Sequence, residues 1–404
     1  MKIGVMANEF PKTSKTFILN QITGMIDRGH DVPIFVPTIS DEAVHHPEVS
    51  DYNIFNRLVR TGSPKSPLAS LIGAVRNSAD LLQSGPADAR RTLVDIAVSD
   101  GIRNAGRFSY QARPILDSDL DVLHAHFGHI GRQAAKLDQA GACDAFVTMF
   151  HGWGIREGEK HGGDIYNELF EQCDCLLANT EYTRQKLIEF GADPSQVRVH
   201  HVGINPSLFR TNDNVNDQNE TNTITITTVA RLEKVKGIEY GILAIKDLLQ
   251  RLPDTDIEYR VVGGGSSEED LRELIQANDL CDTVTLCGNK SRSGVVDELS
   301  SSDVFLLPSL QEGFGMVLLE AQASQLPIVA SDVGGIREAV SPGESAFLVP
   351  ARNPFAIADR LEQLILDPKQ RSDMANTGLS YVRKNFDISD LNDDLEHLYL
   401  DLLQ

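Results

Sequence analysis

The sequence predicts an α/β protein made of two doubly wound parallel-sheet domains in tandem, with a ligand cleft between them. Three observations lead there. The chain has 404 residues, more than one hydrophobic core usually organises. Short apolar runs alternate with helical patterns in two successive series, the signature of parallel strands with covering helices. Between the series lies TNDNVNDQNETNT, residues 211–223, polar and without apolar anchors, which reads as an interdomain linker.

The first series opens with a strand over Lys2–Ala7, a loop NEFPKTSKT, a helix over Phe17–Arg28 ended by Gly29, and a second strand in DVPIFVPT. Residues 52–116 carry no clear strand. Their apolar spacing is helical, broken at Ser63-Pro64 and Gly85-Pro86, so they read as a helical insertion. Strands resume in LDVLHAHF, DAFVTMFHG, DCLLANT and VRVHHVG. The second series runs ITITTVARL, a helix in GIEYGILAIKDLLQRL, IEYRVVGGG, and a capped helix in SSEEDLRELIQAN. TVTLCGN, VFLLPS, PIVASD and AFLVP complete it. The expected division is therefore 1–210, linker 211–223, a second domain 224–384, and an acidic amphipathic helix over 385–404 packing back on the first domain. Ligands of such sheets bind at the carboxyl ends of strands, where glycine turns lead into helices.

The net charge of -21 argues against nucleic acid as a partner, because phosphate backbones are held by basic surface. Residues 57–113 run the other way, with nine basic side chains against four acidic ones. Two readings stand for that stretch: a solvated helical insertion, or a face toward an anionic acceptor, such as a lipid-linked pyrophosphate glycan at a membrane surface. No run approaches the ~20 apolar residues of a membrane span, and the opening MKIGVMANEF reads as a strand rather than a signal segment. A cytoplasmic chain, at most peripheral to the inner face of the membrane, is the expectation. Five scattered cysteines agree with a reducing compartment, and Cys173 and Cys175 read as core thiols rather than zinc ligands.

Five motifs are candidates to carry chemistry. In Ser309-Leu-Gln-Glu-Gly-Phe-Gly-Met-Val-Leu-Leu-Glu320, a strand ends, a loop with Glu312, Gly313, Phe314 and Gly315 turns, and a helix begins with free amides. Glu320 follows eight residues after Glu312, about two helical turns, so the two carboxylates can serve two parts of one extended ligand. Arg231 and Lys236 in VARLEKVKG follow the first strand of the second domain, placed to converge on a pyrophosphate. Gly263, Gly264 and Gly265 form a strand-to-helix turn, weak evidence alone. In the first domain His151 ends a strand just before Gly152, where it can donate a hydrogen bond. His124, His126 and His129 in LHAHFGHIG either line the cleft or, less favoured for want of an acidic partner, hold a metal.

These residues resemble the paired-glutamate signature and phosphate-binding Arg and Lys of retaining family 4 glycosyltransferases, which have the GT-B fold. HxHFG, and NEFPKTSKTFI beside the FPxxSxTFI element, are similar to the exopolysaccharide and colanic-acid branch. The resemblance implies transfer of a sugar, with retention, from a nucleotide-diphosphate sugar to a glycan or lipid-linked acceptor in polysaccharide or glycoconjugate biosynthesis. It implies His151, Arg231, Lys236 and Glu312 as catalytic residues, with Glu312 on the donor sugar and Glu320 on the ribose. Gly263, Gly265, Ser309, Gly313, Phe314 and Gly315 would complete the donor site; Ser14, Thr16, His126 and Trp153 would meet the acceptor. No cofactor or metal is expected, since cationic side chains take the metal's place at the diphosphate. The sequence departs from its relatives at Lys15, where they often have glutamate, and at Gly154, where close relatives often have aspartate. A nucleotide-sugar epimerase of related fold, or a non-catalytic nucleotide-sugar binder, are the competing readings.

Overall fold

The structure is a computed structural model that describes residues 1–12, 15–42, 46–209 and 223–404. It divides into two compact units, residues 1–201 with 388–404, and residues 202–387.

The first unit is built on a seven-stranded parallel sheet in the order Leu58–Arg60, Ile34–Val36, Ile3–Met6, Leu120–His126, Cys143–Phe150, Cys175–Ala178, Val197–Val199. Its central strands are buried on both faces, which is why they read as continuous apolar runs. Chain order reverses between Ile3–Met6 and Leu120–His126. Loops leaving the carboxyl ends of these two strands flank the point where doubly wound sheets bind ligands.

Residues 52–116 do contain a strand, contrary to the sequence reading. Leu58–Arg60 pairs with Ile34–Val36 at the sheet edge, where three half-exposed residues give too short a pattern to register. A short parallel pair, Glu9–Phe10 with Thr38–Ile39, was also not foreseen. Helices Pro67–Ser84, Ala87–Ser99 and Ile102–Leu116 follow, the first two divided at Gly85-Pro86 as the sequence indicates.

The helix Ile388–Leu402 belongs to this first unit. It lies on the helix Thr16–Asp27, where Asn392 Nδ2 donates to the Asn20 carbonyl at 3.2 Å. Gly24 permits the approach, since a Cβ there would sit 1.9 Å from Asn392 Nδ2. Arg28 pairs with Asp393 at the surface, a contact worth about 0–1 kcal/mol, and the partly buried His30 meets Glu396 at 2.7 Å. Burial of Leu395, Leu398 and Tyr399, at about 1.5–3 kcal/mol per fully buried large apolar side chain, contributes more.

The second unit carries a six-stranded parallel sheet in the order Val284–Gly288, Ile257–Val262, Ile224–Val229, Val304–Leu307, Ile328–Ser331, Ala346–Val349. Here the order reverses between Ile224–Val229 and Val304–Leu307. The unit begins at Val202, ahead of the polar segment, because the Ile204 amide donates to the Phe386 carbonyl at 3.0 Å and Phe209 packs under Arg292. Of the expected linker, residues 211–222 lie outside the described ones. The helix Glu268–Ala277 lacks the expected side-chain cap: Ser267 is buried and its hydroxyl accepts from no helix amide.

Candidate active site

In the second unit, two loops leave the carboxyl ends of the strands at the reversal point, and their backbones are joined. The Leu310 amide donates to the Val235 carbonyl at 2.8 Å. Lys236 sits on a one-turn 3-10 helix, Lys234–Lys236, closed by Gly237 at φ 60. A Cβ on Gly237 would lie 2.3 Å from the Pro308 carbonyl oxygen, so only glycine lets the lysine turn pack on the end of the neighbouring strand. From there Lys236 Nζ donates to Glu312 Oε1, and the Ser309 hydroxyl, fully buried, donates to the same oxygen at 3.5 Å. The paired side chains are 16% and 13% exposed, enough covering to make loss of either partner costly for the other. Arg231, by contrast, is exposed and makes no ion pair among the described residues. The two cations do not share a partner; Lys236 is engaged and Arg231 is not.

The glycine turn braces this arrangement. At Gly263, φ is 141 and a Cβ would meet the Ala230 carbonyl oxygen at 1.9 Å; at Gly265 one would meet that of Leu232 at 2.5 Å. The Leu232 amide also donates to the Gly264 carbonyl at 3.0 Å. Gly263 and Gly265 thus hold the loop bearing Arg231 against the next strand.

Gly315, left-handed at φ 87, starts the helix Met316–Ala323. Because the helix begins there, Glu320 lies about one turn along it rather than two. Its carboxyl is pushed up to about 7 by removal from water, against the opposing field of Arg292. Gly313 is half-exposed in the loop, and the Phe314 side chain turns away from it, 3% exposed with its ring 5.4 Å from that of Phe386. Any ligand contact at Phe314 is therefore a backbone contact. Sequence reasoning missed Gly334 and Gly335. The Gly335 amide donates to the Glu312 carbonyl at 3.3 Å, and a Cβ at Gly334, φ 54, would stand 1.8 Å from that oxygen. A glycine pair directly after a strand, SDVGG, was the available signal.

In the first unit, three histidines stack. His124 and His126, two apart on one strand, lie 4.5 Å apart with an interplanar angle of 16°, and His126 and His151 at 5.8 Å and 15°. His126 Nδ1 is 3.5 Å from His151 Nε2, and Tyr399 shares a 2.5 Å hydrogen bond with His124 Nδ1. Burial brings His124 and His151 down to about 3 and His126 well below its ordinary value, so all three are neutral imidazoles at physiological pH. The sequence reading has His126 lining a cleft and His151 pointing out into it; in the structure both are covered instead, 1% and 8% exposed, under Phe17 and Phe127. Tyr399, which anchors the stack, gave no signal within its acidic helix. Lys15 donates to the Glu9 carbonyl at 2.8 Å and lies over the Phe127 ring, its pKa lowered by burial and then by Lys12. Thr16 is half-buried at the start of the first helix, and Trp153, 41% exposed, meets the His129 ring edge-on. Gly154 lies beneath Phe150 and its carbonyl accepts from the Tyr166 hydroxyl, a covered position. Ser14 lies outside the described residues. Among the described residues no cluster of His, Cys, Asp or Glu could hold a metal ion.

Residues 14–208 match the family described as Glycosyltransferase Family 4, and residues 210–380 the family described as Glycosyl transferases group 1. The chain is 32% identical over 373 residues to a Salmonella typhimurium protein named as a colanic acid biosynthesis glycosyltransferase, covering 90% of each. It is 30% identical over 395 residues to an amylovoran biosynthesis glycosyltransferase of Erwinia amylovora, again covering 90% of each. Among solved structures it resembles Anabaena HepE in complex with UDP, with a TM-score of 0.75 and 16% identity over 99% of this chain and 100% of that one. Sucrose-phosphate synthase of Thermosynechococcus elongatus gives a TM-score of 0.75 at 19% identity, over 100% and 99%.

Proposed function

Because the chain belongs to glycosyltransferase family 4 and is a glycosyltransferase of the GT-B fold, we propose that it moves a sugar, with retention and without a metal, from a nucleoside-diphosphate sugar to a glycan or lipid-linked acceptor. Polysaccharide biosynthesis is the setting that the names of its relatives carry, and the cytoplasmic face of a membrane is where this reading places it. Crystal complexes of the Anabaena neighbour with UDP and with UDP-glucose support the donor class.

The observation that carries this reading is the Lys236–Glu312 pair at the reversal point of the second sheet, beside the helix that bears Glu320. A diphosphate drawn to Lys236 and Arg231 would take up the cationic charge, leaving Glu312 to accept from the sugar hydroxyls and Glu320 from the ribose. In the transfer, the acceptor oxygen bonds to the anomeric carbon on the face from which the diphosphate departs. The acceptor's proton passes to the leaving phosphate oxygen, and the two cations with the Met316 helix amides stabilise the charge that develops. His151, neutral, contributes a hydrogen bond rather than a charge. The lipid-linked form of the acceptor would be met at the membrane through residues 57–113.

Calorimetric titration with UDP, GDP, ADP and dTDP, with and without EDTA, tests the donor site. One diphosphate should bind, unaffected by EDTA, and at least about tenfold more weakly to Lys236→Ala and to Glu320→Ala. Binding by none of the four, or binding that EDTA abolishes, would sink the reading; retention is checked by NMR of the product anomer.

A further inference from the structure

The helix Pro67–Ser84 is apolar on its outside. Its inward positions are small: the Tyr110 hydroxyl reaches the Ser70 carbonyl at 3.0 Å, a Cβ on Gly73 would collide with that hydroxyl at 1.9 Å, and Ala74 meets Gly106. Only Leu81 is buried. The large aliphatic residues face solvent instead, with Leu68, Leu71, Ile72, Val75 and Leu82 between 46% and 68% exposed. Spacings of three, four and seven residues put them on one stripe of the helix. An amphipathic helix of a globular protein turns such a stripe inward; a contiguous apolar stripe left outside marks a surface that something covers.

Its neighbours continue the pattern. On the helix Ala87–Ser99, Val94 and Val98 share an exposed face with Arg90 and Arg91, and Ile102, 84% exposed, starts the next helix beside Arg103. Charge identifies the occupant. Residues 57–113 hold nine basic and four acidic side chains in a chain of net charge -21. Among the described residues Lys65, Arg76, Arg90, Arg103 and Arg107 make no ion pair. Cations flanking exposed aliphatics match an anionic bilayer, whose headgroups take the charges while its acyl boundary takes the aliphatics. A second copy presenting the same face would bring like charge to like.

We propose that this insertion docks flat on an anionic phospholipid surface, with the Leu68–Leu82 stripe entering the headgroup–acyl boundary and Lys65, Arg76 and Arg103 meeting phosphates. The inference rests on the lipid-linked acceptor reading and supplies the surface on which that acceptor is reached. No helix among the described residues is long and apolar enough to cross the bilayer, so contact is peripheral.

Flotation of the full chain with phosphatidylcholine vesicles, alone or with about one quarter phosphatidylglycerol, tests it. The chain should float with the anionic vesicles only, and less at high salt. The triple variant Leu71→Ser, Ile72→Ser, Val75→Ser should bind at least about tenfold more weakly. Arg76→Ala with Arg103→Ala should lose about fivefold per cation. All these side chains are exposed, so folding is spared, and diphosphate binding by each variant should equal that of the parent chain. A chain that ignores both vesicles, a triple variant that floats as well as the parent, or light scattering that shows a dimer dissolved by the triple variant would each overturn the proposal. Diphosphate titration reads the donor site separately, so loss of vesicle binding with nucleotide binding intact sinks only the docking, and the converse sinks only the donor reading.

Discussion

Lys236 and Glu312 neutralise each other at the site proposed for the diphosphate and the sugar, and neither can be removed without leaving its partner's charge half-buried and without a counter-charge. Both residues were legible as candidates because of a strand end and a spacing, and the roles given them are what the family resemblance implies. Their mutual contact was not, since it depends on two loops 76 residues apart being joined at Val235 and Leu310. Nor could a sequence show that Phe314 turns onto Phe386, a choice made by core packing. Glu320 offers a test at this scale. Its folded pKa, about 7, stands above the ordinary value of 4.5, so the fold favours the neutral acid. The carboxyl is protonated in folded and unfolded chains alike below pH 4.5, and costs nothing there. As pH rises from 4.5 to 7, the unfolded chain ionises first and stability is lost, by at most about 3 kcal/mol before allowing for the group's partial exposure. Glu320→Gln should therefore match the parent's Tm at pH 4.5 and exceed it at pH 8. Equal Tm values at both pH values would show that the carboxyl is not desolvated.

Among elements, the strands of both sheet centres were readable because burial on both faces makes them unbroken apolar runs, whereas Leu58–Arg60, a three-residue edge, and the pair Glu9–Phe10 with Thr38–Ile39 carry too little pattern. Turns were half-legible. Glycines announce a turn, but the carbonyl they make room for is set by topology, as Gly334 shows by admitting the backbone of Glu312. A matched pair separates that clamp from ordinary backbone strain. Gly334→Ala and Gly343→Ala both place a side chain at positive φ, 54 and 81, at a cost of about 1 kcal/mol in strain. Only at Gly334 does the new Cβ meet an atom, the Glu312 carbonyl oxygen at 1.8 Å; at Gly343 nothing lies within 4 Å. Gly343→Ala should lower Tm slightly and leave donor affinity unchanged. Gly334→Ala should displace the Glu312 loop and weaken donor binding about tenfold or more. Equal donor affinity in the two variants, measured by calorimetry, would dissociate the glycine pair from the site.

For the molecule as a whole, the two units hold their buried titratable groups with opposite signs. The first unit buries His124, His126, His151 and His200 as neutral imidazoles, brought down by desolvation to about 3, well below the ordinary value, about 3 and about 4. The unfolded chain takes up protons near 6.5 and the folded unit does not, so the stability these groups lend is complete above pH 6.5 and is lost as pH falls toward the folded values. At pH 5 that amounts to about 2 kcal/mol for each of His124, His151 and His200. Asp138, raised to about 6 by burial, pulls the other way between pH 6 and 3.8, one group against four. In the second unit Glu320 is the desolvated carboxyl among the described residues whose shift falls in this pH range, and the cost it carries is relieved on acidification. Calorimetric scans of the full chain should then show two transitions that move in opposite senses between pH 7.5 and 5. The one assigned to the first unit should fall by several degrees as acid protonates the unfolded histidines, while the other holds or rises. His124→Gln keeps a polar partner for Tyr399 and removes one titrating group, so it should make the first transition less sensitive to pH without abolishing it. Two transitions that fall together would mean that the histidine stack is not what sets the acid response of the first unit.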